Sequence, residues 1–547
     1  MAIAQRRLRL LFAVFAGLLG LAALRAADLG MLQGPHLSAL AQSSEVRLLT
    51  QPAMRGAIVD SHGEALALTD PGDDVEAYHV AFPAKAAAKL APLLHESVAT
   101  LSLALENHPG FQYLARQLPA ATAQRITALG IDGISLATDN IRYYPFGSLA
   151  GQLLGGVHSS GDGAGGIETE YNAQLAGTSG ETRVVYAGDG KPIDVNVLRQ
   201  AHAGATVRLT LDAPLQQEAE SVLATVGSRY TPYSATAIVT NPQTGAVLAL
   251  ANWPSANPSQ PAATRNWTDN AIQLTYEPGS TFKIVVVGGA LASGLITPNT
   301  PFNIPAQLQF DGRTINDSEP HGNETLTTTG IVGQSSNIGA VEIGQMLGAS
   351  RFYTWTKRFG FGAPTGIDLP GEGQGIIPPL GEYNNFSMGN LPFGQGESVT
   401  PIQLATAYGA IADGGILRPP HIVAAVGGRR TREPAGHRIL SRAVAAEMRT
   451  ILEAPLQANG TASEISIPGY TLAGKTGTAN IAINGTYSHT KYVASFVGFA
   501  PARHPKVEVT VVVDQPQDGL IYGTDAPAHA WEAIMSWALR YLEIRPS

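Results

Sequence analysis

The chain has 547 residues, of which 44% are hydrophobic and only 14% are charged, with a net charge of −8. At about 150 residues per domain this length predicts two to four folded units, and so low a charge content excludes an intrinsically disordered chain. The acidic balance, without a basic stripe, argues against a nucleic-acid partner. The absence of cysteine excludes disulfides and thiolate chemistry, and the 13 histidines form no zinc-binding pattern.

An apolar run follows a cluster of arginines at the amino terminus. Leu10–Leu24 carries no charged or strongly polar side chain, and at about 1.5 Å per residue a helix of this length reaches about 22 Å. Arg25 can extend its charge toward lipid headgroups, which lengthens the span to Ala27. The arginines place the first residues in the cytoplasm. Residues 1–27 are therefore predicted to be a membrane anchor with the rest of the chain outside, and a cleaved signal peptide is the alternative.

The next part of the chain, up to about residue 205, combines helical and glycine-rich stretches. Alanine-rich sequence predicts helices within Phe82–Leu105 and Pro119–Ala128, and the glycines of Gly161–Gly166 predict tight turns. The sequence contains no internal repeat. This part is expected to form one or two lobes of mixed α and β structure.

A further domain begins near residue 206 and is predicted to run to the end of the chain. Two strands joined by a tight turn, a late antiparallel pair and a closing helix indicate mixed α and β structure here as well. The predicted elements are the strands Val207–Leu211, Ala235–Thr240, Ala246–Ala251, Tyr492–Phe499 and Val507–Val513, and the helices Pro214–Val226 and Ala528–Leu542.

Lysine is scarce, with eight in the chain, so a lysine inside an apolar segment is informative. Ser280 and Lys283 follow a Pro-Gly turn and lead into Ile284–Val287, which is apolar on every side and predicts a buried helix. On a helix the two side chains share one face. Burial lowers the pKa of an unpartnered lysine, and a neutral amine beside a hydroxyl can activate a serine nucleophile. The same spacing at Ser488–Lys491 lies in a strand-like segment, which does not align the two side chains.

A second short polar group is Ser335-Ser336-Asn337. Its hydroxyl and amide groups suit the relay of a proton and the orientation of a substrate amide. A helical run, Ile338–Met346, follows the group, so a helix N-cap is an equally good interpretation. The pattern Ser-x-Asn also occurs at Ser255–Asn257 and carries no information alone.

A third group, Lys475-Thr476-Gly477-Thr478, occurs once. Its cation and two hydroxyls suit a substrate carboxylate, and the glycine permits a close approach to the backbone. The same lysine completes a P-loop pattern that begins at Gly469. A P-loop needs a helix after the lysine to bind phosphate. The residues that follow favour a strand, which argues against a nucleotide site.

Serine-x-x-lysine, serine-x-asparagine and lysine-threonine-glycine, in this order in one domain, resemble the motifs of the penicillin-recognising serine enzymes. The surrounding sequence is similar to class B penicillin-binding proteins over nearly the whole chain after the anchor. The segments that carry this resemblance are Arg55-Gly56, Arg142–Ala150, Gly165–Glu168, Tyr276–Lys283, Phe359–Glu372, Phe393–Pro401 and Phe496–Pro501.

The resemblance implies an α+β multidomain fold. Its expected parts are the anchor helix at residues 1–27, an α+β pedestal lobe of the dimerisation type at 28–205, and a serine transpeptidase domain at 206–547. In the last of these, an antiparallel sheet is expected to be flanked by helices.

A mechanism is implied as well. Ser280 attacks the penultimate D-alanine carbonyl of a peptidoglycan stem peptide, and Lys283 takes its proton. Ser335 then passes the proton to the leaving amine, Asn337 binds the donor's amide, and Lys475 keeps the local potential positive. The resemblance further implies that the donor's carboxylate is bound by the segment Thr476, Gly477 and Thr478. It also implies an oxyanion hole formed by the backbone N–H groups of Ser280 and Thr478. An amine from a neighbouring stem resolves the acyl-enzyme into a cross-link, and no metal or cofactor is implied.

Within class B, the group around Ser335 together with Tyr522-Gly523 and Ala526-Pro527 resembles the cell-division (FtsI-like) branch, with the elongation and sporulation branches as alternatives. The implied partners are stem peptides that end in D-Ala-D-Ala, β-lactams as covalent inhibitors, and an FtsW-type membrane glycosyltransferase with other division proteins. The implied location is the bacterial inner membrane, crossed once. Competing interpretations are a β-lactamase or carboxypeptidase, a non-catalytic β-lactam sensor, and a P-loop ATPase.

Overall fold

The computed structural model describes residues 2–33, 46–108, 110–186, 192–260, 266–483, 486–517 and 522–547. The chain divides into two compact units, each assembled from three segments. The smaller unit comprises residues 1–54, 71–141 and 177–204, and the larger comprises residues 55–70, 142–176 and 205–547. The domain limits drawn from the sequence, at 27/28 and 205/206, stay a prediction.

The N-terminal helix runs from Ala2 to Ala27 and continues as a π-helical turn over Asp28–Leu32. Within it, Arg9–Gly30 is long and apolar enough to cross a membrane, with a mean hydropathy of 2.1. Arg25, near its end, forms an ion pair with Asp28 at 2.5 Å. Length and composition therefore fit the predicted anchor.

The smaller unit contains two groups of antiparallel strands and several helices. Gly180–Tyr186 pairs with Val46–Gln51 on one side and with Pro192–Arg199 on the other. The second part of the strand Ala65–Ala77 pairs with Gln112–Pro119. The remaining elements are the strand Ile134–Tyr143 and the helices Pro83–Leu94, Val98–Asn107 and Ala120–Thr127.

The helical stretch predicted within Phe82–Leu105 is interrupted. His95 has a φ of 56°, in the left-handed region, and ends the first helix. Ser97 begins the second, because its side chain accepts a hydrogen bond from the N–H of Thr100 and so caps the helix. Two short helices thus replace one long one.

A five-stranded antiparallel sheet organises the larger unit. The spatial order of its strands is β2-β1-β5-β4-β3, so β3 lies at one edge. The late strands pair as predicted, with Val493 opposite Asp514 and Ala500 opposite Val507. The five strands in chain order are β1 (Ser234–Asn241), β2 (Ala246–Trp253), β3 (Ala473–Ile483), β4 (Thr486–Ala500) and β5 (Val507–Asp514).

Helices cover both faces of this sheet, because successive side chains of a strand point to opposite sides. Val511 and Val513 of β5 join one apolar core, whereas Val512 joins the other. Helices α1 and α5 contribute to the first core, and α2, α3 and α4 to the second. Their bounds are α1 (Ala213–Tyr230), α2 (Lys283–Ala292), α3 (Asn337–Leu347), α4 (Pro401–Ala412) and α5 (Ala526–Tyr541). This arrangement confirms the predicted antiparallel sheet flanked by helices.

Smaller elements complete the larger unit. The predicted strand at residue 207 is shorter than expected and pairs in parallel with Ile58–Val59 and antiparallel with Val423–Val426. The other strands are Val207–Leu209, Gly156–Val157, Gly163–Ala164, Pro301–Ile304, Leu308–Phe310, Arg313–Ile315, Glu324–Thr327, Ile416–Leu417, Arg429–Arg430 and His437–Arg438. The other α-helices are Gly151–Leu154, Gly166–Glu170, Asn172–Leu175, Asn270–Gln273, Thr328–Gly333, Ala349–Arg358 and Arg442–Glu453.

Candidate active site

Ser280 lies on a turn that is pressed against the edge strand β3. The turn is a 3-10 helix, Gly279–Phe282, that runs directly into α2. Gly279 has a φ of 56°, and a Cβ atom there would lie 2.7 Å from the carbonyl oxygen of Thr478. Only glycine fits at this position without strain. The close approach brings the half-buried Ser280 next to the backbone of β3.

The helix that follows is buried on every side, as the apolar sequence predicts. Lys283 is 1% exposed and Thr281 is fully buried. The hydroxyl of Tyr408, on α4, donates a 2.9 Å hydrogen bond to the carbonyl of Thr281. The turn that carries Ser280 is therefore held from both sides, by β3 and by α4.

Ser335 connects the nucleophile candidate to the buried lysine. Its hydroxyl donates to Oγ of Ser280 at 2.9 Å. Nζ of Lys283 donates to the backbone carbonyl of Ser335 at 2.5 Å, to its Oγ at 3.3 Å, and to Oδ1 of Asn337 at 2.9 Å. Because hydroxyl protons rotate, the series Ser280–Ser335–Lys283 can carry a proton in either direction.

The group Ser335-Ser336-Asn337 combines a helix cap on Ser336 with a hydroxyl, that of Ser335, that contacts Ser280, and the proton relay stays a prediction. Ser336 is the N-cap of α3, since its Oγ accepts from the N–H of Gly339 at 2.9 Å. Ser335, immediately before it, has a φ of 64° and faces Ser280. A backbone conformation that non-glycine residues seldom adopt thus aims the serine hydroxyl into the site.

The third polar group lies on β3. Lys475 is fully buried, and its Nζ donates to Oγ1 of Thr476 at 3.0 Å. A Cβ atom on Gly477 would lie 2.4 Å from Oγ of Ser495, so a larger residue does not fit. Oγ1 of Thr478 accepts a 3.0 Å hydrogen bond from the N–H of Gly523. Lys475 lies inside a strand that is followed by another strand, so the structure contradicts the P-loop interpretation.

The site buries two lysines. Burial lowers the pKa of Lys283 to about 7, and the negative charge of Asp317 partly opposes this. Burial also lowers the pKa of Lys475 well below its ordinary value, and the charge of Lys283 lowers it further. Within the part of the chain that the structure describes, no carboxylate bonds to either ammonium group. Unpaired buried amines of this kind are suited to accepting protons near neutral pH.

The structure thus joins Ser280, Lys283, Ser335 and Asn337 through hydrogen bonds and places Thr478 against the turn that carries Ser280. The second Ser-x-x-Lys sequence, Ser488–Lys491, does not belong to this hydrogen-bonded group. Ser488 lies on β4, and its Oγ accepts hydrogen bonds from the backbone N–H groups of Thr490 and Lys491, whose side chain is exposed. No cluster of three metal-ligating side chains occurs among the described residues.

Sequence reasoning missed Asp317, whose carboxylate accepts from the N–H groups of Asn337 and Ile338. It belongs to no recognised motif and lies in a polar stretch with several similar residues. Asp317 precedes Asn337 by 20 residues, which is too far for a local sequence pattern to connect the two. Only the fold brings it to the start of α3.

Comparison with known proteins gives matches along most of the chain. Residues 235–536 match the family described as the penicillin binding protein transpeptidase domain, and residues 50–209 match the penicillin-binding protein dimerisation domain. Penicillin-binding protein PbpB of Mycolicibacterium smegmatis is 31% identical, over 96% of this chain and 89% of the relative. Peptidoglycan D,D-transpeptidase FtsI of Buchnera aphidicola is 33% identical, over 80% of this chain and 76% of the relative.

A solved structure matches over a similar extent. Penicillin binding protein 3 of Mycobacterium tuberculosis, in complex with aztreonam, superimposes with a TM-score of 0.73 at 29% identity. The match covers 91% of this chain and 98% of that structure. Aztreonam is a β-lactam, so this similar protein binds an inhibitor of the predicted class.

Proposed function

Because the chain belongs to the penicillin-binding protein transpeptidases, we propose that it cross-links peptidoglycan stem peptides through an acyl-enzyme on Ser280. The observation that carries this proposal is the hydrogen-bonded series Ser280–Ser335–Lys283. It links a hydroxyl to a buried amine whose pKa is lowered to about 7. A neutral amine in that position is the base that a serine nucleophile needs when no histidine is present.

Acylation transfers one proton and exchanges one bond. Oγ of Ser280 bonds to the carbonyl carbon of the penultimate D-alanine, and its proton passes to Lys283, directly or through the hydroxyl of Ser335. The backbone N–H groups of Ser280 and Thr478 stabilise the negative oxygen of the tetrahedral intermediate. The peptide bond then breaks, and the terminal D-alanine leaves after its nitrogen receives the proton through Ser335.

Residues of β3 and α3 hold the donor strand. The hydroxyls of Thr476 and Thr478 bind the terminal carboxylate, with Lys475 behind them as a source of positive potential. Thr478 already accepts from the N–H of Gly523, so its own proton is available to the carboxylate. The amide of Asn337 binds the donor peptide. An amine of a neighbouring stem then attacks the ester on Ser280 and forms the cross-link.

The cellular setting follows from the anchor and from relatives named for division. We propose that the N-terminal helix crosses the inner membrane once, with the cytoplasm at its arginine-rich end and the catalytic unit outside. The relative named FtsI favours a role in septal synthesis. The partners proposed for that role, an FtsW-type glycosyltransferase and other division proteins, rest on the resemblance to the division branch alone. The elongation and sporulation branches are the alternatives.

Covalent labelling tests the nucleophile. The full chain in detergent is incubated with a fluorescent penicillin, and the adduct is followed on a denaturing gel and by intact mass. A stable adduct is expected with wild type and with Ser488→Ala, which alters the serine of the other Ser-x-x-Lys copy, and not with Ser280→Ala. An adduct on a folded Ser280→Ala variant would overturn the assignment.

The lifetime of the adduct tests the reaction class. A transpeptidase keeps the penicilloyl ester for hours, because water is excluded from attack, whereas a β-lactam-hydrolysing relative clears it within minutes. Stem peptide ending in D-Ala-D-Ala, given with and without an acceptor amine, completes the test. Release of D-alanine that depends on the amine is the expected result, and release at the same rate without it would instead indicate a carboxypeptidase.

A further inference from the structure

Asp317 lies in a turn after the strand Arg313–Ile315 and reaches the start of α3. One carboxylate oxygen accepts from the N–H of Asn337 at 2.5 Å and from that of Ile338 at 3.0 Å. The neighbouring residue, Asn316, accepts at its carbonyl from the side-chain amide of Asn337 at 3.1 Å. Adjacent residues of one turn therefore hold Asn337 by its main chain and by its side chain.

The fixed position of Asn337 affects Lys283. Asn337 is one of the acceptors of Lys283, at 2.9 Å, and Ser335, two residues earlier, supplies the others. Ser335 has a φ of 64°, a conformation that the surrounding structure has to maintain. Asp317 accepts a hydrogen bond from the main chain of Asn337, two residues after Ser335. The acceptors of Lys283 thus depend on where Asp317 places α3.

Asp317 also brings charge. It is the group whose negative charge raises the pKa of Lys283 against the effect of burial. Among the residues that the structure describes, the other charged or titratable groups that interact here are Lys475, on β3, and His321 and Glu324, beyond Asp317. The second oxygen of Asp317 contacts Nε2 of His321 at 3.2 Å, and Nδ1 of His321 lies 3.3 Å from Glu324. A hydrogen bond to the carbonyl of Gly322, together with these carboxylates, raises the pKa of His321.

We propose that Asp317 is a positioning residue of the serine site, which anchors the start of α3 and supplies negative charge to a site with two otherwise unpaired lysines. It touches neither the substrate nor Ser280, and acts through Asn337 and Lys283. The inference rests on the proposed serine chemistry and adds a residue outside the three sequence motifs. A helix cap alone would need the two N–H bonds and would not shift the protonation of Lys283.

The test separates charge from hydrogen bonding. Asp317→Asn keeps an oxygen that can accept from the backbone but removes the charge, and Asp317→Ala removes both. The full chain in detergent is acylated with fluorescent penicillin from pH 6 to pH 9, and the rate constant is fitted at each pH. Glu319→Gln, which removes an exposed carboxylate from the same turn, is the matched control.

In wild type the rate should fall below about pH 7, where Lys283 becomes protonated. Asp317→Asn removes the charge that favours protonation, so the midpoint of this fall should move to lower pH by about one unit. Asp317→Ala should also slow acylation about tenfold at every pH. Glu319→Gln should leave the profile in place. If Asp317→Asn proves unfolded, His321→Lys places a permanent cation on the outer oxygen and should move the midpoint the same way.

Two results would overturn the inference, and they differ from each other. A folded Asp317→Asn with the wild-type midpoint would reduce Asp317 to a helix cap while leaving the serine mechanism intact. A folded wild type that forms no adduct would remove the proposed function and this inference together.

Discussion

Two clusters of buried charged side chains in the larger unit, one around Glu168 and one around Ser280, are built in opposite ways. At the first, the carboxylate of Glu168 accepts from Nε of Arg55 at 2.6 Å and from Nε of Arg142 at 2.7 Å. All three side chains are less than 8% exposed. Each charged group directly contacts a group of opposite charge, so each of these contacts stabilises the cluster.

The site around Ser280 lacks this pairing. Lys283 and Lys475 are as deeply buried as the arginines, yet their bonded acceptors are hydroxyl, amide and carbonyl oxygens. The arginines stay charged, because the guanidinium cannot be deprotonated in proteins. The lysines can lose their protons, and burial without a carboxylate favours that loss. On the proposed mechanism, paired buried charge serves the fold, and unpaired buried charge serves proton transfer.

The largest expected effect is on catalysis. Lys283→Met should lower the rate of acylation by fluorescent penicillin by about 10³-fold, within the range for loss of a general base. Stability should not fall, because a buried ammonium without a carboxylate is replaced by an apolar chain of similar length. Stopped-flow labelling and a thermal unfolding scan measure the two quantities. Lys491→Met is the control, and a folded Lys283→Met that retains more than a third of the wild-type rate would contradict the distinction.

The second effect is on the fold. Glu168→Gln leaves two buried guanidinium groups facing a neutral amide, and should cost about 3–5 kcal/mol of unfolding free energy. For a unit of this size that loss lowers the thermal midpoint by roughly 5 °C. The adduct should still form at a temperature where the variant is folded. Glu170→Gln, an exposed neighbour, should change neither quantity, and a Glu168→Gln midpoint equal to wild type would remove the structural role of the pair.

These two clusters also show how much of the structure can be predicted from the sequence. The run after Lys283 predicts its burial, because Ile284–Val287 offers no polar face, and the same run separates this lysine from the exposed Lys491. Local pattern does not reveal that Arg55 meets Glu168, 113 residues away. That pairing, like the approach of β3 to the turn at Gly279, is set by packing between distant segments.

The sheet and its helices were more predictable than the site's supports. The β-branched run Val507–Val513 and the apolar face of the last helix indicate a strand and a covering helix without any knowledge of neighbours, although the strand is buried on both faces. The role of Asp317 depends on a turn bringing one carboxylate to one helix terminus, which no spacing encodes. The order of the three motifs predicted the chemistry only through resemblance.

The smallest effect tests a buried carboxyl that belongs to neither class. Glu508, on β5, is fully buried and accepts hydrogen bonds from Thr240 and Thr510, and no cation among the described residues bonds to it. Burial raises its pKa to about 8. If unpaired buried charge always served proton transfer, Glu508 would matter to acylation. Burial, which outweighs the opposing effect of the two threonine hydrogen bonds, instead favours a neutral carboxyl that serves only the sheet.

The pH dependence of stability decides between these roles. A folded-state pKa of about 8, above the ordinary 4.5 of an unfolded chain, means that the folded protein binds the proton more tightly. Stability is then undiminished below about pH 4.5 and falls as pH rises toward 8. Glu508→Gln cannot ionise, so relative to wild type it should gain roughly 3 kcal/mol at pH 7 and less than about 1 kcal/mol at pH 5. Chemical denaturation at both pH values measures the difference, with the exposed Glu464→Gln as control. An equal difference at the two pH values would mean that Glu508 ionises as it does in water, and a slowed acylation in the variant would extend proton transfer beyond the two lysines.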